Sequence, residues 1–188
     1  MKTFIFLPIA IILGLGFYTT PMKTKVKILP KSSLVIKGSS NVNSFACEYD
    51  NTLLNDELVV QYSTNNSSKI ELERAQFKIC SQGFDCCHQL ITKDLRKTLK
   101  ADTFSYITIN VKEINRTNTD YTCTAVVEIA GKHKDYEIPI CISKNNNIKG
   151  TLKLNINDFN LRTPKKAFGL IEVKNTVEID FDLYLAYN

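Results

Sequence analysis

The sequence predicts an all-β fold, an antiparallel barrel or deep sandwich with one short helix. The closing stretch Val177 to Leu185 alternates apolar and polar residues without a break. Side chains of a strand point to opposite faces with a period of two, so five apolar residues share one face and Glu178, Asp180 and Asp182 the other. Nine residues at about 3.3 Å each reach roughly 30 Å, the full height of a barrel. Period-two patterning recurs in the other strand candidates, and one segment alone has helical spacing.

The elements follow in order. Met1 to Tyr18 reads as an export segment: Lys2 supplies a positive charge, Phe4 to Leu15 an apolar run, and Gly14 and Gly16 small residues for cleavage. The run is short for a membrane span. Residues 1–20 are therefore expected to be a signal peptide or an N-terminal anchor, and residues 32–188 the barrel domain. Expected strands are Ser33–Lys37, Asn41–Tyr49, Leu58–Ser63, Lys69–Ile79, Thr103–Ile114, Tyr121–Ala130, Asp135–Ser143, Ile148–Asn155 and Phe168–Tyr187. The segment Leu90–Ala101, with Leu90, Leu95 and Leu99 among cations and Thr92 available as a cap, predicts the helix. It would cross one end of the barrel or cover an edge strand. A short helical turn is expected at Ile156–Asn160, ahead of Pro164.

The 188 residues carry 44% hydrophobic residues and a net charge of +5, which fits one domain. The lysines are scattered among carboxylates rather than clustered, which argues against nucleic-acid binding. A mild positive charge is compatible with peripheral contact to an anionic membrane. Composition does not fix an oligomeric state.

The chain has six cysteines, Cys47, Cys80, Cys86, Cys87, Cys123 and Cys141. In an exported chain an even set points to disulfides, with fifteen full pairings. Cys123 and Cys141 flank the turn Gly131-Lys132-His133-Lys134, yet alternation puts Cys123 with Ala125, Val127 and Ile129 and Cys141 opposite Ile138, Ile140 and Ile142. Their sulfurs point apart unless a bulge near Pro139 restores parity. A bridge from Cys47 to Cys80, Cys86 or Cys87 is the equal alternative.

No catalytic constellation emerges, so the expectation is a non-enzyme with no catalytic residues, no metal site and no required cofactor. His88 and His133 are the only histidines, and no serine sits in a glycine-flanked elbow. Cys86-Cys87-His88 has neither the C-x-x-C redox spacing nor the usual zinc spacing, which leaves thiol redox chemistry at Cys86 and Cys87 as a minor reading.

Several segments in sequence carry a resemblance: Leu34 to Phe45, Gln89 to Ala101, Ile129 to Lys134, Gly150-Thr151-Leu152 with Asn157-Asp158-Phe159, and the closing strand. In order and spacing they resemble the YceI-like family from about Leu34 onward. The chain departs from the family pattern at Ser39-Ser40-Asn41, where a His-Ser pair is usual, and in its number of cysteines. The resemblance implies a lipocalin-like antiparallel β-barrel, export to the periplasm or beyond the cell, and an isoprenoid-like lipid held in the barrel.

The expected apolar ligand surface is Ile107, Ile109, Val111, Ala125, Val127, Ile129, Ile138, Ile140, Val177, Ile179, Phe181 and Leu183. Such a wall recognises hydrocarbon by area, at about 25 cal/mol per Å². A barrel of about eight strands can enclose one small ligand or fill itself with side chains. Two function classes therefore stand side by side: an exported lipid carrier, and a closed barrel that works as a structural or interaction protein through its surface.

Overall fold

The computed structural model describes residues 21–54, 57–66, 68–118, 120–166 and 170–187. The expected export segment lies outside them. In chain order the strands are β1 (Met22–Ile28), β2 (Ser33–Ser39), β3 (Ser44–Tyr49), β4 (Glu57–Asn66), β5 (Lys69–Cys80), β6 (Phe84–Asp85), β7 (Tyr106–Thr117), β8 (Asp120–Ile129), β9 (Lys132–Ser143), β10 (Asn147–Asn155), β11 (Lys165–Lys166), β12 (Ile171–Glu172) and β13 (Thr176–Tyr187). The helix α1 (Gln89–Thr98) stands between β6 and β7. Eight strands close a ring in the order β1, β4, β5, β7, β8, β9, β10, β13 and back to β1, every pair antiparallel.

The ring closes through a divided seam. The second half of β13 pairs with β1, Val26 opposite Tyr187 and Ile28 opposite Leu185. Its first half pairs with β2, from Asp182 opposite Ser33 to Glu178 opposite Lys37. Both partners run antiparallel to β13, so β1 and β2 are two lengths of one line, interrupted at Leu29 to Ser32. Pro30 sits in the interruption, where a residue without an N–H costs no ladder bond. From β2 the sheet continues outward through β3 to β6.

The barrel thus begins at Met22 rather than at Ser32, a correction to the expected domain boundary. Met22 to Ile28 puts Thr24, Val26 and Ile28 inward and its three lysines outward, an ordinary amphipathic strand. The expected strand Phe168–Tyr187 is broken into β12 and β13 by Val173 to Asn175, and Phe168 lies outside the described residues. His133 is not in a turn. Ala130 and Gly131 form the two-residue hairpin, both at positive φ (50° and 72°), and His133 pairs with Glu128 in the β8–β9 ladder.

Two bulges keep long strands facing the same interior. On β5 the inward positions are Ile70 and Leu72, then Ala75, Phe77 and Ile79; parity changes at Arg74, whose φ is 61°. On β7 the inward set Ile107, Ile109 and Val111 passes to Ile114 across a register shift. A strand lacking that extra residue would turn its second half to the wrong face.

Helix α1 crosses one end of the barrel and lays Ile91, Leu95 and Leu99 over its interior. Thr92 is not its cap; His88 takes that place without a side-chain bond. Thr92 is instead buried in the first turns, where its hydroxyl accepts from Cys86 N–H at 3.0 Å and donates to Asp85 at 3.2 Å. Arg96 donates to the Phe84 carbonyl at 3.1 Å. These bonds fix the helix to β6. The β3–β6 register pairs Glu48 with Asp85 and Tyr49 with Phe84, so the next pair along is Cys47 and Cys86, which form a disulfide. The short turn after β10 forms as a 3-10 turn over Ile156–Phe159, with Asn160 in the left-handed region (φ 54°).

Candidate functional site

The barrel interior is a cavity of about 850 Å³. That is at the upper end of the range for small-molecule sites, so the side chains do not fill the barrel. All twelve residues expected to form an apolar inner surface line it, from Ile107 and Ile109 to Phe181 and Leu183. The wall also takes in residues the sequence reading did not single out: Val26 and Ile28 on β1, Leu34 and Ile36 on β2, Val60 on β4, and Ile91 and Leu95 on α1. The β1 pair had a readable signal in its lysine alternation. The helix pair had its i, i+4 spacing.

Strand β13 fixes the direction of the wall. Val177, Ile179, Phe181, Leu183 and Leu185 face the cavity, and the three carboxylates face outward into ion pairs. Lys37 meets Asp180 at 2.6 Å, Lys149 meets Asp182 at 2.7 Å and Lys153 meets Glu178 at 3.0 Å. The Lys37 ammonium, with the Thr151 hydroxyl donating at 2.7 Å, holds the Asp180 carboxyl below the usual range. Lys149, assisted by Asn147, does the same for Asp182. Each lysine comes from the strand beside β13, so these pairs bridge β13 to β2 on one side and β10 on the other.

Two cavity-facing glycines carry aromatic rings. A Cβ on Gly38 would stand 2.3 Å from the Phe45 ring, and one on Gly150 would stand 2.5 Å from Phe181. Each glycine is the register partner of its phenylalanine. The rings therefore lie over bare backbone instead of projecting across the cavity. Where the start of β9 meets the 3-10 turn after β10, Tyr136 stacks on Phe159 at 6.4 Å and Lys134 pairs with Asp158. Burial pushes the Tyr136 hydroxyl up to about 12, the Asp158 charge adding to it.

Polar groups in the wall are few. Cys123, paired in register with Ile114 and Ile138, points a free thiol into the cavity, and burial pushes that thiol up to about 11. Cys141 lies exposed on the other face, as parity requires, so no bridge joins these two. Because Cys86 is bonded to Cys47, Cys86 and exposed Cys87 are not a dithiol pair. Among the described residues no group of three or more His, Cys, Asp or Glu could hold a metal ion. Ser40, Asn43, His88, Asp94, Thr98 and Lys174 edge the cavity at its helix end.

A closed eight-stranded antiparallel barrel, helix-capped at one end and hollow within, is the class this chain belongs to by architecture. The structure is similar to that of BcnA from Burkholderia cenocepacia, with a TM-score of 0.63 and 19% identity, covering 83% of this chain and 96% of that one. A YceI protein of Campylobacter jejuni is also similar, with a TM-score of 0.47 and 16% identity over 69% of this chain and 80% of that one. At 19% identity the likeness to BcnA is one of fold. No family model matches the sequence, and no curated protein does.

Proposed function

We propose that the protein is an exported carrier that holds an extended, isoprenoid-like apolar chain inside the barrel. The single observation behind this reading is the cavity: about 850 Å³, walled mostly by Val, Ile, Leu and Phe. A hydrocarbon chain there gains about 25 cal/mol for each Å² removed from water, with little discrimination by length. The polar edge at the helix end leaves a place for a modest head group. Retention, not bond making, is the work assigned to the site, in the periplasm or outside the cell.

The test is solvent extraction and mass spectrometry of protein purified from its native host without detergent. A stoichiometric lipid is expected. Ala125, fully buried in the cavity wall between Val111 and Tyr136, is the position at which to fill the space. Ala125→Phe is expected to leave the thermal midpoint near that of the unaltered protein stripped of lipid, while the co-purified lipid disappears. Protein that carries no lipid in either form would leave the carrier reading without support and favour a barrel that acts through its surface.

A further inference from the structure

The most exposed large apolar side chains among the described residues are Leu170 at 75%, Val42 at 64% and Leu90 at 62%. They come from three separate segments, yet they gather at one place. Val42 and Leu90 edge the cavity at the helix end, and Leu170 is held there by hydrogen bonds between the β2–β3 loop and β12. Asn41 Nδ2 donates to the Leu170 carbonyl at 2.8 Å, and Glu172 N–H donates to Asn41 Oδ1 at 3.1 Å. Ile171 and Val173, on either side of Glu172, line the cavity itself.

Beside this rim lies a second cleft of about 520 Å³ between the last turn of α1 and residues 160–164. Lys97, Lys100 and Arg162 line it, against one carboxylate, Asp94. The cleft adjoins the cavity mouth, since Asp94, Thr98, Thr163 and Pro164 border both. Lys93 and Lys174 are exposed nearby, with Glu172 a second acid on the rim besides Asp94. Bare aliphatic side chains ringed by cations match the two layers of a bilayer surface: acyl chains within, anionic phosphates above.

We infer that the helix end docks on an anionic phospholipid surface, with Val42, Leu90 and Leu170 entering the acyl boundary and Lys97, Lys100 and Arg162 meeting lipid phosphates. The cavity would then open directly onto the membrane. The inference goes beyond the carrier reading and does not rest on it, because vesicle binding and co-purified lipid are separate readouts.

The test is sedimentation of the exported protein with phosphatidylcholine vesicles and with vesicles in which part of that lipid is phosphatidylglycerol. Binding is expected only to the anionic vesicles and should weaken with salt. Leu90→Ser and Leu170→Ser should abolish most of it. Lys97→Ala and Arg162→Ala should each lower partitioning about fivefold. The opposite end also has exposed apolar residues, Met22 at 50% and Tyr187 at 47%, so Met22→Ser and Lys23→Ala are the comparison pair and should bind as the unaltered protein does. The chain has no tryptophan, so Leu90→Trp adds a single reporter whose emission should shift to the blue on anionic vesicles. Failure of the unaltered protein to bind anionic vesicles, or equal losses from the Met22 and Lys23 changes, would overturn the assignment. An unshifted Leu90→Trp emission in bound protein would do the same.

Discussion

The Phe181 ring lies over Gly150, its cross-strand partner, so closely that a Cβ on Gly150 would stand 2.5 Å from Phe181 Cζ and 2.9 Å from the Pro139 carbonyl oxygen. The aromatic face covers backbone that no side chain protects. The ring is also kept against the wall, which preserves the hollow.

Gly150→Ala is therefore expected to destabilise the barrel by about 1–3 kcal/mol, the usual scale for overpacking. Phe181 could swing away, but the Pro139 oxygen is backbone and cannot. Thermal denaturation reads the loss. In the double variant with Phe181→Leu the penalty should be only partly relieved, since the backbone contact remains; full relief would place the whole conflict in the ring.

The acid limb of stability should come in part from the outer face of β13. Asp180 and Asp182 are held below the ordinary carboxylate range by Lys37 and Lys149. A carboxyl with a depressed folded-state value contributes stability that is complete above its unfolded value, near pH 4, and is lost as pH falls through the lower folded value. The thermal midpoint should be level between about pH 7 and pH 5 as far as these groups decide it, and should fall below about pH 4. Asp180→Asn should flatten that fall and cost at most about 1 kcal/mol at neutral pH, because the pair is partly solvated. A steeper acid limb in the variant would contradict the assignment.

Cys47 and Cys86 close a loop with a sequence separation of 39. On chain entropy alone the bridge is worth about 4 kcal/mol. Reduction, or Cys47→Ser with Cys86→Ser, should lower stability on that scale and act first on β6 and α1, which the bridge ties to β3. Hydrogen exchange should show protection lost in Gln89–Thr98 before it is lost in β8. Uniform loss across both elements would mean that the bridge supports the whole barrel equally.

Thiol accessibility should sort by face. Cys87 and Cys141 are exposed and should react with a water-soluble alkylating reagent in the native protein. Cys123, inside the cavity with its thiol pushed up to about 11, should react only on unfolding. Mass spectrometry of the native adduct gives the answer by residue, and native labelling of Cys123 by a charged reagent would mean that water reaches the wall.

The strands were legible because each exposes one face and buries the other, which writes a period of two into β7, β8 and β13. The whole expected ligand wall falls on those strands and β9 for that reason. The strand β1 is not among the expected strands although Lys23, Lys25 and Lys27 alternate with Thr24, Val26 and Ile28; it lies next to the apolar N-terminal run and ends near Pro30. The break at Val173 to Asn175 was hidden because Val173 keeps the apolar pattern going while the chain turns away to the rim. Thr92 looked like a cap because its residue type favours one, but its hydroxyl is used between Asp85 and Cys86. Whether the interior was hollow could not be read from the strands alone. Volume depends on how many strands close the ring and on where Phe45 and Phe181 lie, and both are set by pairing across long separations.

Because one half of β13 joins β1 and the other half joins β2, the ring is completed by the first and last of the described strands meeting each other. One edge of β1 is taken by β4, but its other edge has no ladder partner until Leu185 to Tyr187 are in place. The container is therefore the last thing to exist. Removing the few residues of β13 that face Val26 to Ile28 would leave an open-sided sheet with its greasy surface to the solvent.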